Sequence, residues 1–129
     1  MDKVTSDSTP VGALDTRQKG RSGEDIAAEY LISKGYAIIS RNYQRKNGEI
    51  DCIARDPDGT LAFIEVKSSY GSSFAHPFSW ISRGKQRSIA RLAQQYLAEH
   101  DLMRAPCRFD AIAIVNGKVD HMKNAFIRM

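Results

Sequence analysis

The stretch that most constrains the fold is a turn. Asp56-Pro57-Asp58-Gly59 separates two short apolar runs, residues 49–55 and 60–68. Proline presets φ and glycine permits the reversal, so the two runs are expected to pair as an antiparallel hairpin. Strand side chains alternate between faces. On the later strand Leu61, Phe63, Glu65 and Lys67 share one face, and Ala62, Ile64 and Val66 share the other. On the earlier strand Glu49, Asp51 and Ile53 share a face, opposite Ile50, Cys52 and Ala54. Asp51, Glu65 and Lys67 thus put charge on strands that are otherwise apolar. The hairpin brings Asp51 to Glu65 if its pairing sets both on one side of the sheet.

The rest of the chain supplies partners for this hairpin. Ser22 to Asp25 has the form of a helix-capping box, and Ile26, Ala27, Tyr30 and Leu31 then recur at helical spacing until Gly35, predicting a helix over 22–34. Residues 36–43 read as a strand, followed by the basic turn Arg45-Lys46-Asn47-Gly48. Residues 69–81 are loop-like. A second helix is expected over 83–100, with Ser82 as N-cap and Ile89, Leu92, Ala93, Tyr96 and Leu97 as its apolar face. Residues 107–115 and 118–122 read as strands joined by the hairpin signal Asn116-Gly117. The order α-β-β-β-α-β-β predicts an α/β fold, with one mixed β-sheet of about five strands flanked by helices. Residues 1–20 read as a flexible tail, and 21–129 as a single domain, which 129 residues suit.

Several function classes are disfavoured. No apolar run approaches the roughly 20 residues that span a bilayer. The first residues lack the apolar core of a secretory signal, so a cytoplasmic protein is expected. Cys52 and Cys107 make neither a disulfide framework nor a zinc site and read as small buried hydrophobes. His76, His100 and His121 match no metal or triad spacing, and surface or loop roles are expected for them. A net charge of +4 favours a polyanionic partner only mildly.

The charged hairpin has a chemical use. Two carboxylates held close repel each other unless a cation or proton sits between them. A hard cation such as Mg²⁺ binds through one or two carboxylates and takes other ligands from water and phosphate. Lys67, two residues beyond Glu65, projects to the same side and would orient a water or stabilise phosphate charge. The plainer alternative is an ion-pair ladder in which Lys67 neutralises Asp51 and Glu65. Glu24 suits the first turn of a helix through the helix dipole, yet it falls about 20° from Leu31, at the edge of the apolar stripe. Glu49 shares the face of Asp51 and reads as a strand-end charge, with a spare ligand as the alternative. Gln86 either points at the site or satisfies a backbone group. Asp110 interrupts an apolar strand and reads as the partner of a nearby arginine. Arg83, Arg87 and Arg91 recur every four residues, with Lys85 beside them, and Arg41, Arg45 and Lys46 cluster before the Asp51 strand. These basic residues would hold a nucleic-acid backbone, or else form solvated surface. Phe74, Phe78 and Trp80 are read as capping the core, with a partner surface or base stacking as alternatives.

A family resemblance rests on the run Asn47-Gly48-Glu49-Ile50-Asp51-Cys52-Ile53-Ala54-Arg55 and on Phe63-Ile64-Glu65-Val66-Lys67. Gly84-Lys85-Gln86 and Arg108-Phe109-Asp110-Ala111-Ile112-Ala113 complete it. Together they resemble the YraN-like uncharacterised family of bacterial proteins, from about Gly20 to Phe126. That family is similar in pattern to archaeal Holliday junction resolvases and other PD-(D/E)XK nucleases. The resemblance implies a restriction-endonuclease-like core and a Mg²⁺ or Mn²⁺ site held by Asp51 and Glu65, with Glu24 as a further ligand. It implies catalytic roles for Asp51, Glu65 and Lys67, with Gln86 positioning water or phosphate. The implied activity is hydrolysis of DNA, in branched or damaged structures, and relatives of this kind are often homodimers. Two departures bear on substrate grip: Ser69 stands where such sequences often carry arginine, and Ala90 stands where a Q-x-x-x-Y motif would place tyrosine after Gln86. A module that keeps the fold and binds nucleic acid or a partner without turnover is the alternative expectation.

Overall fold

The computed structural model describes residues 22–69 and 81–126. The expected tail over 1–20, most of the loop-like 69–81 stretch, and with it Phe74, His76, Phe78 and Trp80, lie outside the described residues. Helix α1 spans Gly23–Ser33 and is followed by strands β1 (Ala37–Arg45), β2 (Gly48–Arg55) and β3 (Leu61–Ser69). Helix α2 spans Arg83–Glu99, before β4 (Cys107–Val115) and β5 (Lys118–Met122). Both helices start as their sequences predict. Ser22 Oγ accepts the Asp25 N–H at 3.0 Å, and Ser82 Oγ accepts the Lys85 N–H at 3.1 Å.

The strands lie in sequence order in one five-stranded sheet. Neighbours β1/β2, β2/β3 and β4/β5 are antiparallel, and β3/β4 is parallel, so the sheet is mixed. A parallel pair needs a long crossover, and α2 lies within the segment that makes it. The Asp56–Gly59 turn forms as expected: Asp56 Oδ1 accepts N–H groups from Asp58 at 2.8 Å and Thr60 at 3.1 Å. In the last hairpin Asn116 and Gly117 both have positive φ, 52° and 83°, which a tight reversal between twisted strands requires.

Each face of the sheet has its own core. Phe63, Phe109 and Ile53 pack with Ile89, Leu92 and Tyr96 of α2. Cys52, Ala54, Ile64 and Ile112 pack with Ala27 and Leu31 of α1 on the other face. Cys52 is buried as expected, whereas Cys107 is only partly buried. The expected alternation in β2 needs correction. Ile50 was placed opposite Ile53, yet both belong to the α2-side core. The face changes between Ile50 and Cys52, near Asn42 of β1, whose φ of 56° departs from strand geometry, while the β1/β2 ladder itself shifts register between Ile38 and Ser40.

A buried polar knot ties β4, β5 and α1 together. Asp110 is wholly buried and pairs with the Arg108 guanidinium at 2.9 Å, as its sequence setting predicts. Arg108 also binds Asp56 and the Tyr36 hydroxyl. His121 corrects its expected surface role: its side chain is 5% exposed, 2.8 Å from Asp110 Oδ2 and 3.1 Å from the Tyr30 hydroxyl. The register Ile112↔His121 explains this, because it sets the ring on the α1 face beside Ile112.

Candidate functional site

The hairpin register builds the site. The β2/β3 ladder runs from Arg55↔Leu61 to Cys52↔Ile64. Asp51 and Glu65 are the next residues on the two strands, beyond the last ladder pair, and their charges act on each other. There the carboxylate replaces a ladder bond: Asp51 Oδ2 accepts the Val66 N–H at 2.8 Å. Helix α1 brings a third acid. Its first residue is Gly23, where a Cβ would come within 2.8 Å of Ser68 Cβ on β3. This close approach seats Glu24, the next residue, against the strands. Asn42 closes the far side. With its amide nitrogen turned to the acids, it donates to Glu49 Oε2 at 2.8 Å and Glu24 Oε1 at 2.9 Å. Asparagine tolerates the left-handed backbone that this position has adopted.

The electrostatics are those of crowded carboxylates. Asp51 and Glu65 are each 9% exposed. Burial, then the Glu65 charge, pushes the Asp51 carboxyl up to about 6. Burial also raises Glu65, against the pull of Lys85. Glu24 is raised by burial and then by the charges of Asp51 and Glu49. Glu24, Glu49 and Asp51 offer carboxylate oxygens that all lie within 4.8 Å of one another. Glu65 approaches Asp51 from the β3 side, with Oε2 held 2.9 Å from the Lys85 ammonium. Its Oε1 is buried with no hydrogen-bond partner. A buried polar atom left unpaired costs about 1–3 kcal/mol, which a cation, or a proton shared with Asp51, would offset.

Asp51 thus neighbours Glu65 on one side and meets Glu24 and Glu49 on the other, and the cluster of three acids is Glu24, Glu49 and Asp51, without Glu65. Lys67 lies two residues along β3 from Glu65 and is exposed. Gln86 donates its amide to the Ile81 carbonyl at 3.0 Å, the backbone role that the sequence left open. The basic residues do not form one surface. Lys85 turns to Glu65, while Arg83 and Arg87, each about 160° away around a helix of 3.6 residues per turn, point outward with Arg91. Arg45 reaches Glu99, near the far end of α2, at 2.9 Å, and its guanidinium lies 4.2 Å from the Tyr43 ring centre. Lys46 is exposed in the β1/β2 turn, and Arg41 pairs with Asp25 at 2.6 Å.

The sequence does not mark Asn42, and it favours other roles for Glu49 and Lys85. Glu49 reads as a strand-end charge, yet it sits in the acidic trio. Asn42 lies in an ordinary-looking strand, and only its positive φ marks it. Lys85 reads as one of a basic stripe. Its place after the Ser82 cap, in the first turn of α2, was the available signal.

Comparisons with known proteins agree on the family. The model of the uncharacterised protein family UPF0102 matches residues 23–114. A UPF0102 protein of Persephonella marina is 44% identical over 108 residues, covering 84% of this chain and 92% of its own. One from Clostridioides difficile is 37% identical over 115 residues, covering 88% of this chain and 100% of its own. Among solved structures, an EndoMS–dsDNA complex aligns with a TM-score of 0.40 and 14% identity. The Ca²⁺ complex of Pyrococcus furiosus SfsA aligns with a TM-score of 0.33 and 15% identity. This chain spans 39% of the length of the first and 65% of the second. The family match takes in α1 with Glu24, the Asp51–Glu65 hairpin and Lys85, and the chain belongs to the uncharacterised protein family UPF0102.

Proposed function

We propose that this protein is a divalent-metal-dependent nuclease that hydrolyses DNA phosphodiester bonds. The observation that carries the reading is the buried Asp51–Glu65 pair, with Asp51 raised to about 6 and Glu65 Oε1 unpartnered. The donor set is all carboxylate oxygen, which suits Mg²⁺ or Mn²⁺ and not a soft metal. Asp51 and Glu65 would hold the ion, with Glu24 as a further ligand and Glu49 behind it. The bound ion would polarise a phosphoryl oxygen and lower the pKa of a coordinated water.

The chain's own residues do the rest. The Val66 N–H fixes the Asp51 carboxylate in place. Lys67 orients the attacking water or offsets charge on the phosphate. Gln86 stands in the first turn of α2; its amide nitrogen is held by the Ile81 carbonyl, so any part in positioning water or phosphate falls to its side-chain oxygen. Arg45, Lys46, Arg83, Lys85, Arg87 and Arg91 are the proposed backbone contacts. They carry no base readout, so recognition rests on backbone and shape, as in branched or repair intermediates. A homodimer would suit a symmetric junction. Among the described residues no helix is long and apolar enough to cross a membrane. A cytoplasmic location is part of this reading, and the buried Cys52 thiol suits a reducing compartment.

The test is cleavage of labelled duplex, single-stranded and branched DNA in Mg²⁺ or Mn²⁺. Activity should vanish with EDTA and in folded Asp51→Asn; cleavage unchanged by that substitution sinks the proposal. One observation favours a non-catalytic binding module instead: Lys85 already supplies Glu65 with a cation. That reading expects salt-sensitive DNA binding without turnover.

A further inference from the structure

Among the described residues, the Lys85–Glu65 pair is unlike the other ion pairs. One partner is fixed and the other is free to leave. Glu65 lies on a central strand with its side chain 11% exposed, whereas the Lys85 side chain is 49% exposed. The backbone of Lys85 is anchored, because its N–H caps onto Ser82 at 3.1 Å. The ammonium thus swings on a four-carbon stem from a fixed point. The pair leaves Glu65 Oε1 buried and unpartnered, so one monovalent charge does not satisfy the carboxylate.

We propose that Lys85 is a displaceable counter-ion of this site: it occupies Glu65 while the carboxylates lack a divalent ion, competes with that ion for Glu65, and turns to the phosphate when displaced. The inference rests on the metal site proposed above. A half-exposed ion pair contributes little net stability, so displacing it is cheap. A divalent ion answers both Glu65 and Asp51, which Lys85 alone does not. Once displaced, the ammonium remains anchored beside the acids, where a backbone phosphate is its natural partner. Lys85 would then oppose metal entry and favour substrate, making metal and DNA binding cooperative.

The test is calorimetric titration of the full chain with Mg²⁺ and with Mn²⁺, without DNA, for the wild type, Lys85→Met and Lys85→Arg. Loss of the competitor should tighten metal binding by about tenfold in Lys85→Met, the scale of one unit charge screened near a protein surface. Lys85→Arg keeps the charge and a stronger hold on carboxylate, so its affinity should be no higher than wild type. A thermal scan adds a readout independent of binding heat. Lys85→Met should melt close to the wild type in EDTA and gain more in Tm than the wild type at the same Mg²⁺ concentration, because it binds the ion more tightly. Equal metal affinity in wild type and Lys85→Met overturns the counter-ion role and leaves the metal site standing. So does tighter binding by Lys85→Arg. Absence of saturable metal binding in all three overturns both the site and this inference.

Discussion

Replacing Asp51 by asparagine should stabilise the metal-free protein. Asp51 is 9% exposed, and burial followed by the Glu65 charge moves its carboxyl from 3.8 to about 6. A carboxyl moved that far carries a penalty of about 3 kcal/mol when ionised. The sign follows from proton binding. As pH rises, the unfolded chain releases this proton first, so stability falls between 3.8 and about 6 and stays lowered at neutral pH. Below that window both states are protonated and the penalty is gone. Asparagine has no charge to bury, and its carbonyl oxygen still accepts the Val66 N–H that Asp51 Oδ2 accepts at 2.8 Å. That neutral bond is weaker, so the net gain should be about 1–3 kcal/mol, at about 4–8 °C in Tm per kcal/mol for a small domain. The assay is urea and thermal unfolding in EDTA at about pH 7.5 and about pH 4. The gain should appear at the higher pH and fade at the lower. A variant less stable at neutral pH, or one with the same offset at both, refutes the reasoning.

Three further outcomes are expected. Gly23→Ala would drive a methyl to 2.8 Å from Ser68 Cβ; displacing α1 should cost about 1–3 kcal/mol and weaken metal binding, read by urea unfolding and calorimetry. Asp110→Ala leaves the buried Arg108 and His121 without their shared partner, and should cost about 3–5 kcal/mol in urea unfolding. Arg87→Ala, on the outward face of α2, should lower DNA affinity across sequences and reduce the slope of log K against log salt by about one.

Much of the fold was legible because local signals agreed with one another. Ser22 and Ser82 mark two helix starts, and Asp56–Gly59 and Asn116-Gly117 mark two reversals. Asp51 and Glu65 could be paired on paper because a short turn fixes the register of the hairpin. Local rules failed where a contact depends on another element. Ile50 lies in the α2-side core, although strict alternation would put it with Cys52 on the α1 side, and no pattern in residues 48–55 encodes that change. Alternation does put Glu49 on the face of Asp51, but its place at the strand end favours a solvated charge, and only the approach of α1 brings Glu24 to the two of them. Helical spacing grouped Lys85 with the arginines near it in sequence, whereas the sheet draws its long side chain to Glu65. His121 was missed for the same reason: Asp110 and Tyr30, its partners, are 11 and 91 residues away.

The most direct test of the central claim is crystallography of the full chain grown with Mn²⁺, using anomalous scattering to locate the ion. The account predicts a peak at bonding distance from carboxylate oxygens of Asp51 and Glu65, lost in Asp51→Asn crystals. Well-ordered Asp51 and Glu65 with no peak between them at saturating Mn²⁺, or a peak unaffected by that substitution, would contradict it.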